Sequence, residues 1–192
     1  MKLLLSVVLM MLWFMSCKEQ PQQTKIAFGS CGYQDEPQPV LSIAAEQKPD
    51  AFIFLGDNIY GDTDNMDTLR NKYQRLGAKP EYQQLAAATK IFATWDDHDF
   101  GWNDAGKYYP YKEQSKEIFL SFFKEPAESD RRKHEGIYHA EYIQQGDKTV
   151  QLILLDVRTF RNSLLLYDTT AKLPRKNYFY TPDYQTHISK YS

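Results

Sequence analysis

Ala51-Phe52-Ile53-Phe54-Leu55-Gly56-Asp57-Asn58-Ile59-Tyr60-Gly61-Asp62 begins with five apolar residues and ends in acids. An unbroken apolar run of this length, without polar alternation, suits a strand covered on both faces, as in a parallel sheet. On its N-terminal side, Lys25-Ile26-Ala27-Phe28 reads as a first strand, stopped by Gly29-Ser30-Cys31-Gly32. Between the two, residues 40–47 read as a short helix with Val40, Leu41, Ile43 and Ala44 as its apolar positions, ended by Pro49. On the C-terminal side, Asp64 or Asn65 caps a helix over residues 66–76, with Gly77 at its end. A second helix covers 81–89, with Tyr82, Leu85 and Ala86 facing inward, and a third strand follows at 91–94. A helix over 111–123 carries the stripe Ile118, Phe119, Phe122 and Phe123, and the polar stretch 124–135 reads as loop. Residues 136–143 alternate as a strand, Gln145-Gly146-Asp147 is a turn signal, and 150–155 pair back antiparallel. Parallel crossovers followed by a hairpin give an α/β fold with a mixed sheet and no internal repeat.

The chemistry gathers at the strand ends. Cys31 follows the first strand, Asp57 to Asp62 the second, and Thr94-Trp95-Asp96-Asp97-His98-Asp99-Phe100-Gly101-Trp102-Asn103-Asp104 the third. The last stretch packs four carboxylates, an imidazole and an amide into eleven residues. Clustered carboxylates repel one another unless solvated, paired or bound to a cation. An oxygen-rich cluster with one imidazole suits hard or borderline metal ions. Ligands of open α/β sheets bind outside the carboxyl ends of the strands, so parallel neighbours would bring the three loops to one rim. A metal-dependent hydrolase is the class this points to.

Composition narrows the alternatives. A chain of 192 residues with net charge −2 and 25% charged residues fits one globular domain. The near-neutral balance gives no electrostatic footprint for nucleic acid. The first 17 residues read as a targeting segment: Lys2 is its positive start, and Leu3 to Phe14 is an apolar run too short to span a membrane. Phe14-Met15-Ser16-Cys17 resembles a bacterial lipobox, which implies cleavage before Cys17 and a lipid on its sulfur. Residues 18–24 would then be a tether, with the domain at 25–192, exported and lipid-anchored to a bacterial membrane. An ordinary signal peptide with an incidental Cys17 is the alternative. Cys31 is then without a disulfide partner, since the chain holds two cysteines.

Phe28-Gly29-Ser30-Cys31, Leu55-Gly56-Asp57-Asn58-Ile59-Tyr60, Thr94-Trp95-Asp96-Asp97-His98-Asp99 with Asn103, and Leu154-Leu155-Asp156-Val157-Arg158 with Arg161 follow in order. In order and spacing they resemble the alkaline phosphatase D (PhoD-like) family, of the metallophosphoesterase type, over roughly residues 25 to 165. The resemblance implies a sandwich of two sheets flanked by helices and hydrolysis of a phosphoester substrate at an iron and calcium centre. Carried over by position, it implies Cys31, Asp57, Tyr60, Asp97 and Asn103 as metal ligands. Among these, Asp57 would bridge the ions. It also implies that His98 hydrogen-bonds the phosphate or protonates the leaving oxygen. Asp96 and Asp99 suit support of these ligands. The Gly-Glu-x-Gln-Trp helix usual next in the family does not follow, so a truncated member, weakly active or inactive, is expected.

Other readings stay open. Cys31 can be a small packed residue, Tyr60 a packing aromatic and His98 a structural histidine. Asp156 and Arg158 read as a structural ion pair at a strand end, and Asp62, Asp64 and Asp67 as a solvated, capping face. His134, His139 and His187 receive no role. A phospholipase-type diesterase, a non-catalytic lipoprotein fragment, and a cysteine hydrolase pairing Cys31 with His98 are the competing functions.

Overall fold

The structure, a computed structural model, describes residues 23–162. The expected targeting segment, Cys17 and His187 lie outside the described residues.

Three short strands, β1 (Ile26–Gly29), β2 (Ala51–Phe54) and β3 (Lys90–Ala93), form a parallel sheet in the order β1-β2-β3. Two longer strands, β4 (His139–Gln145) and β5 (Lys148–Leu154), form an antiparallel hairpin. Parallel and antiparallel pairing are thus both present, divided between two facing sheets. The apolar run of β2 explains the layering. All four of its residues are buried. Phe52 and Phe54 point into the helical core with Leu41, Leu69, Leu76 and Leu85. Ala51 and Ile53, on the opposite face, meet Phe92 of β3 and Leu154 of β5. A strand covered on both sides cannot alternate polar and apolar residues, and this one does not.

Six helices complete the described residues: α1 (Pro39–Glu46), α2 (Met66–Ala78), α3 (Pro80–Ala88), α4 (Asp97–Phe100), α5 (Lys112–Phe122) and α6 (Asp130–Lys133). Asn65 caps α2 by accepting from the Asp67 and Thr68 amides at 3.0 Å each. Gly77 lies inside α2, which runs on to Ala78, rather than ending it, and Pro80 opens α3 immediately afterwards. In α1 the buried pair is Leu41 and Ala45, whereas Val40 and Ile43 face outward, against expectation. One turn separates Leu41 from Ala45, and these two with the half-buried Ala44 form the stripe that meets the core. The stretch expected as loop contains α6, whose Arg131 is 5% exposed. Its guanidinium donates to the carbonyls of Ala93 at the end of β3 and Ile137 before β4, and pairs with Glu125 at 3.2 Å. The parallel sheet and the hairpin are therefore tied through one buried cation.

His139, at the start of β4, sits beside that cation. Burial first, then the Arg131 charge, lowers its pKa to about 4. The folded value lies below the unfolded one of about 6.5, so the unfolded chain takes up the proton first. This contribution is complete above pH 6.5 and is lost as pH falls toward 4. Partial solvent contact reduces its size to about 1–2 kcal/mol. Thermal melts of wild type and His139→Gln across that range are expected to converge in acid and separate at neutral pH. Parallel curves would remove the assignment.

Candidate metal centre

Gly29, Phe54 and Ala93 are paired across the sheet, so the three parallel strands end in one row. Their following loops meet on one rim. Two close approaches hold them there. Gly56 has φ +116°, and a Cβ on it would fall 2.7 Å from the Asp96 backbone nitrogen, so only glycine lets the loop after β2 lie against the loop after β3. The Cys31 amide donates to the Gly56 carbonyl at 3.2 Å, and the Gly32 amide to that of Asp57 at 2.9 Å. Cys31 and Asp57 both adopt left-handed backbone, φ 60° and 50°. Side chains larger than glycine are held in such conformations only where surrounding contacts demand it, most often at functional sites.

Donor atoms of Asp57, Asp97 and His98 lie within 4.8 Å of one another. Asp57 Oδ1 is buried with no hydrogen-bond partner. The other oxygen, Oδ2, accepts from the Cys31 thiol at 3.7 Å. The Tyr60 ring lies against His98, with centroids 4.4 Å apart, and its backbone amide donates to the buried Gln34 side chain at 2.8 Å. Asp57 thus carries the Cys31 thiol on one oxygen and has donor atoms of Asp97 and His98 within 4.8 Å, with the Tyr60 ring against His98. No hydrogen bond joins Cys31 to His98 among the described residues; the thiol donates to Asp57 instead. Asn103 is exposed; its backbone amide donates to Asp62 at 2.9 Å and its side-chain amide to Asp104 at 3.3 Å. It joins the cluster through Asp62 rather than by a direct hydrogen bond to Asp57.

The electrostatics call for positive charge. Burial, followed by the Asp96 carboxylate, pushes Asp57 above the usual carboxylate range. Burial, then Cys31 and Asp57, pushes the Tyr60 phenol up. Both shifts disfavour the charged form, so a cation beside them would be needed to hold either group as an anion. Burial raises Asp97 too, but the Asp104 amide at 2.6 Å and the Arg158 guanidinium outweigh it and hold this carboxyl below the usual range. A buried carboxylate oxygen without a partner, next to a second carboxylate and an imidazole, fits a bound cation.

The remaining acids divide by role. Asp99, fully buried, accepts from the Asn58 amide, the Asn58 side chain and the Asp96 amide. It thereby fixes the residue after Asp57. Asp96 pairs with Arg158, which also reaches Asp97 at 3.5 Å. The expected Asp156–Arg158 ion pair is not formed. Asp156 instead accepts from the amides of Ile137, Arg158 and Thr159, while the guanidinium turns to the candidate site. Asp62, Asp64 and Asp67 are all exposed, as expected; Asp67 pairs with Arg70, and Asp62 also contacts His98. Sequence reasoning missed Asp62, Gln34 and the reach of Arg158. The available signal was position: Asp62 closes the acidic loop after β2, and Arg158 follows the end of β5.

No family model matches the chain, and no curated protein matches it. A solved structure described as "Structure of PhoD" does match, with TM-score 0.57 and 18% identity over 73% of this chain. The chain spans 32% of that structure. The resemblance read from four short motifs therefore holds in three dimensions, and the fold of this chain is that of part of PhoD.

Proposed function

We propose that the rim formed by the three strand ends is a metal-dependent phosphoester hydrolase centre of the alkaline phosphatase D type. The observation that carries this reading is the buried, unpartnered Oδ1 of Asp57, a carboxylate that lies within 4.8 Å of donor atoms of Asp97 and His98 and has a thiol on its other oxygen. Cys31 and Tyr60 are the soft and phenolic donors suited to iron, whereas Asp97 and the Asn103 amide oxygen suit calcium. Asp57, whose carboxylate has two oxygens to share, would be the ligand common to both ions. Such ions would neutralise phosphoryl charge and activate water near neutral pH. Among the protein's own groups, His98 would hydrogen-bond the phosphate or hand a proton to the leaving oxygen, and Arg158 keeps Asp97 ionised and aimed. The likeness in fold to PhoD supports the class of chemistry, while the substrate within that class, monoester or diester, is the finer part of the proposal.

The test uses the full 192-residue chain. Metal content is measured after loading with iron and calcium, and hydrolysis of aryl phosphate monoester and diester is followed with and without chelator. Retained metal and weak, chelator-sensitive turnover are expected. A chain that holds no metal and shows no metal-dependent turnover would falsify the proposal. Turnover that survives chelation but not thiol alkylation would transfer the chemistry to Cys31.

A further inference from the structure

His98 is restrained from three directions. Its backbone carbonyl accepts from the Gly61 amide at 2.8 Å, and a Cβ on Gly61 would fall 2.6 Å from that oxygen. Its ring lies against Tyr60. Its Nδ1 meets both carboxylate oxygens of Asp62, at 2.7 and 2.8 Å. Asp62 is itself built into position. It has left-handed backbone, φ 44°, and its Oδ1 also accepts from the Asn103 amide at 2.9 Å. The Lys72 ammonium holds the preceding loop by donating to the Tyr60 and Gly61 carbonyls at 2.7 and 2.9 Å. Loop, helix α4 and the Asn103 turn therefore converge on one carboxylate.

We propose that Asp62 is the positioning residue for His98, locking the imidazole in the Nδ1–H tautomer so that Nε2 is the nitrogen offered to the centre. The proposal rests on the hydrolase reading for its purpose but not for its test. An ionised carboxylate only accepts, so the nitrogen that faces it carries the proton. In a neutral ring the second nitrogen then keeps its lone pair, available to a metal ion or to a proton in transit. Histidines that serve metal centres commonly receive such a carboxylate behind them, which fixes tautomer and orientation together. Asp62 also couples the ring to Asn103 through one oxygen, so the imidazole and the amide move as a unit.

Ring-nitrogen NMR on the ¹⁵N-labelled metal-free chain, at a pH where the imidazole is neutral, reads the tautomer directly. The expected wild-type result is a protonated Nδ1 and an unprotonated Nε2. Asp62→Asn keeps the size of the side chain but places an N–H donor where an acceptor is needed, so a mixture or reversal of tautomers is expected. Titration with Mn²⁺ alone should show binding weakened by roughly 10–100-fold in Asp62→Asn. Asp64→Asn, which removes an exposed carboxylate from the same loop, should change neither. A wild-type ring protonated at Nε2, a tautomer indifferent to Asp62→Asn, or equal Mn²⁺ affinity in both chains would each overturn the proposal. A wild-type chain that has the expected tautomer yet binds no Mn²⁺ would count against the hydrolase reading and leave the positioning role supported.

Discussion

Asp57→Asn should abolish metal retention and, in the metal-free chain, raise the melting temperature. The two effects have one cause. The Asp57 carboxylate is partly buried, one oxygen has no hydrogen-bond partner, and the Asp96 and Asp97 charges oppose it. Without a cation, burial and these charges outweigh the opposing contribution of His98, so replacing the charge with an amide of the same size removes a cost to folding. With a cation the sign reverses. Ligand at 100 times its dissociation constant stabilises a folded protein by about 2.7 kcal/mol. In a chain of this length that corresponds to roughly 5–10 °C. Wild type should gain this on loading and Asp57→Asn should not, so the two melting curves exchange order. Loss of one outer partner already costs roughly 10–100-fold in metal affinity, and loss of the shared carboxylate should exceed that. Differential scanning fluorimetry of both chains, with and without added metal, is sufficient. Equal metal-induced shifts would remove Asp57 from the centre. A trade of stability for function is the ordinary condition of such sites.

Asp57 was legible in the sequence because strand ends are local facts. Five apolar residues fix β2, the next residues must leave the sheet, and the first acid after the glycine falls on the rim. The parallel register then follows from the crossover helices, and with it the meeting of Cys31, Asp57 and Asp97. What was not legible depends on the approach of segments far apart in the chain. Asp62 and His98 are 36 residues apart, and nothing in either loop states that they face one another. The acidic run after β3 read as one loop. Folded, it begins with the single helical turn α4, which sends Asp97 and His98 to the rim and Asp99 into the core. Residues 97 and 99 are two apart and so face opposite sides of a helical turn, a separation that residue type alone cannot show. Arg158 was misassigned for a related reason. Its neighbour Asp156 offers an ion pair in sequence, but the Asp156 oxygens are already filled by backbone amides, and the open anions are Asp96 and Asp97 across the rim.

Asp99→Ala should damage both the fold and the centre. Asp99 has no exposure to solvent, and burial pushes its carboxyl well above the usual range, against the N–H donors that oppose that shift. The donors are the Asn58 amide at 3.1 Å, the Asn58 side chain at 2.6 Å and the Asp96 amide at 2.6 Å. Removal of the carboxylate leaves the Asn58 side chain with the Thr94 carbonyl at 2.8 Å, but both backbone amides lose the acceptor that satisfies them. A buried donor left unpaired costs about 1–3 kcal/mol, so two of them cost about 4 kcal/mol. At roughly 2–4 °C per kcal/mol the melting temperature should fall by about 8–16 °C. The centre suffers through geometry. Asn58 follows Asp57 and Asp96 precedes Asp97, so the two released amides belong to the neighbours of both proposed carboxylate ligands. Metal affinity should fall by roughly 10–100-fold even under conditions where the variant is folded. Asp99→Asn separates the two effects: it fills the space and keeps one acceptor, but points an N–H₂ group at a donor, so its melting temperature should lie between wild type and Asp99→Ala. A variant that melts with wild type while losing metal would mean that Asp99 acts on the centre without supporting the fold. One that melts early yet holds metal normally would show that the positions of Asp57 and Asp97 are fixed by the strands alone.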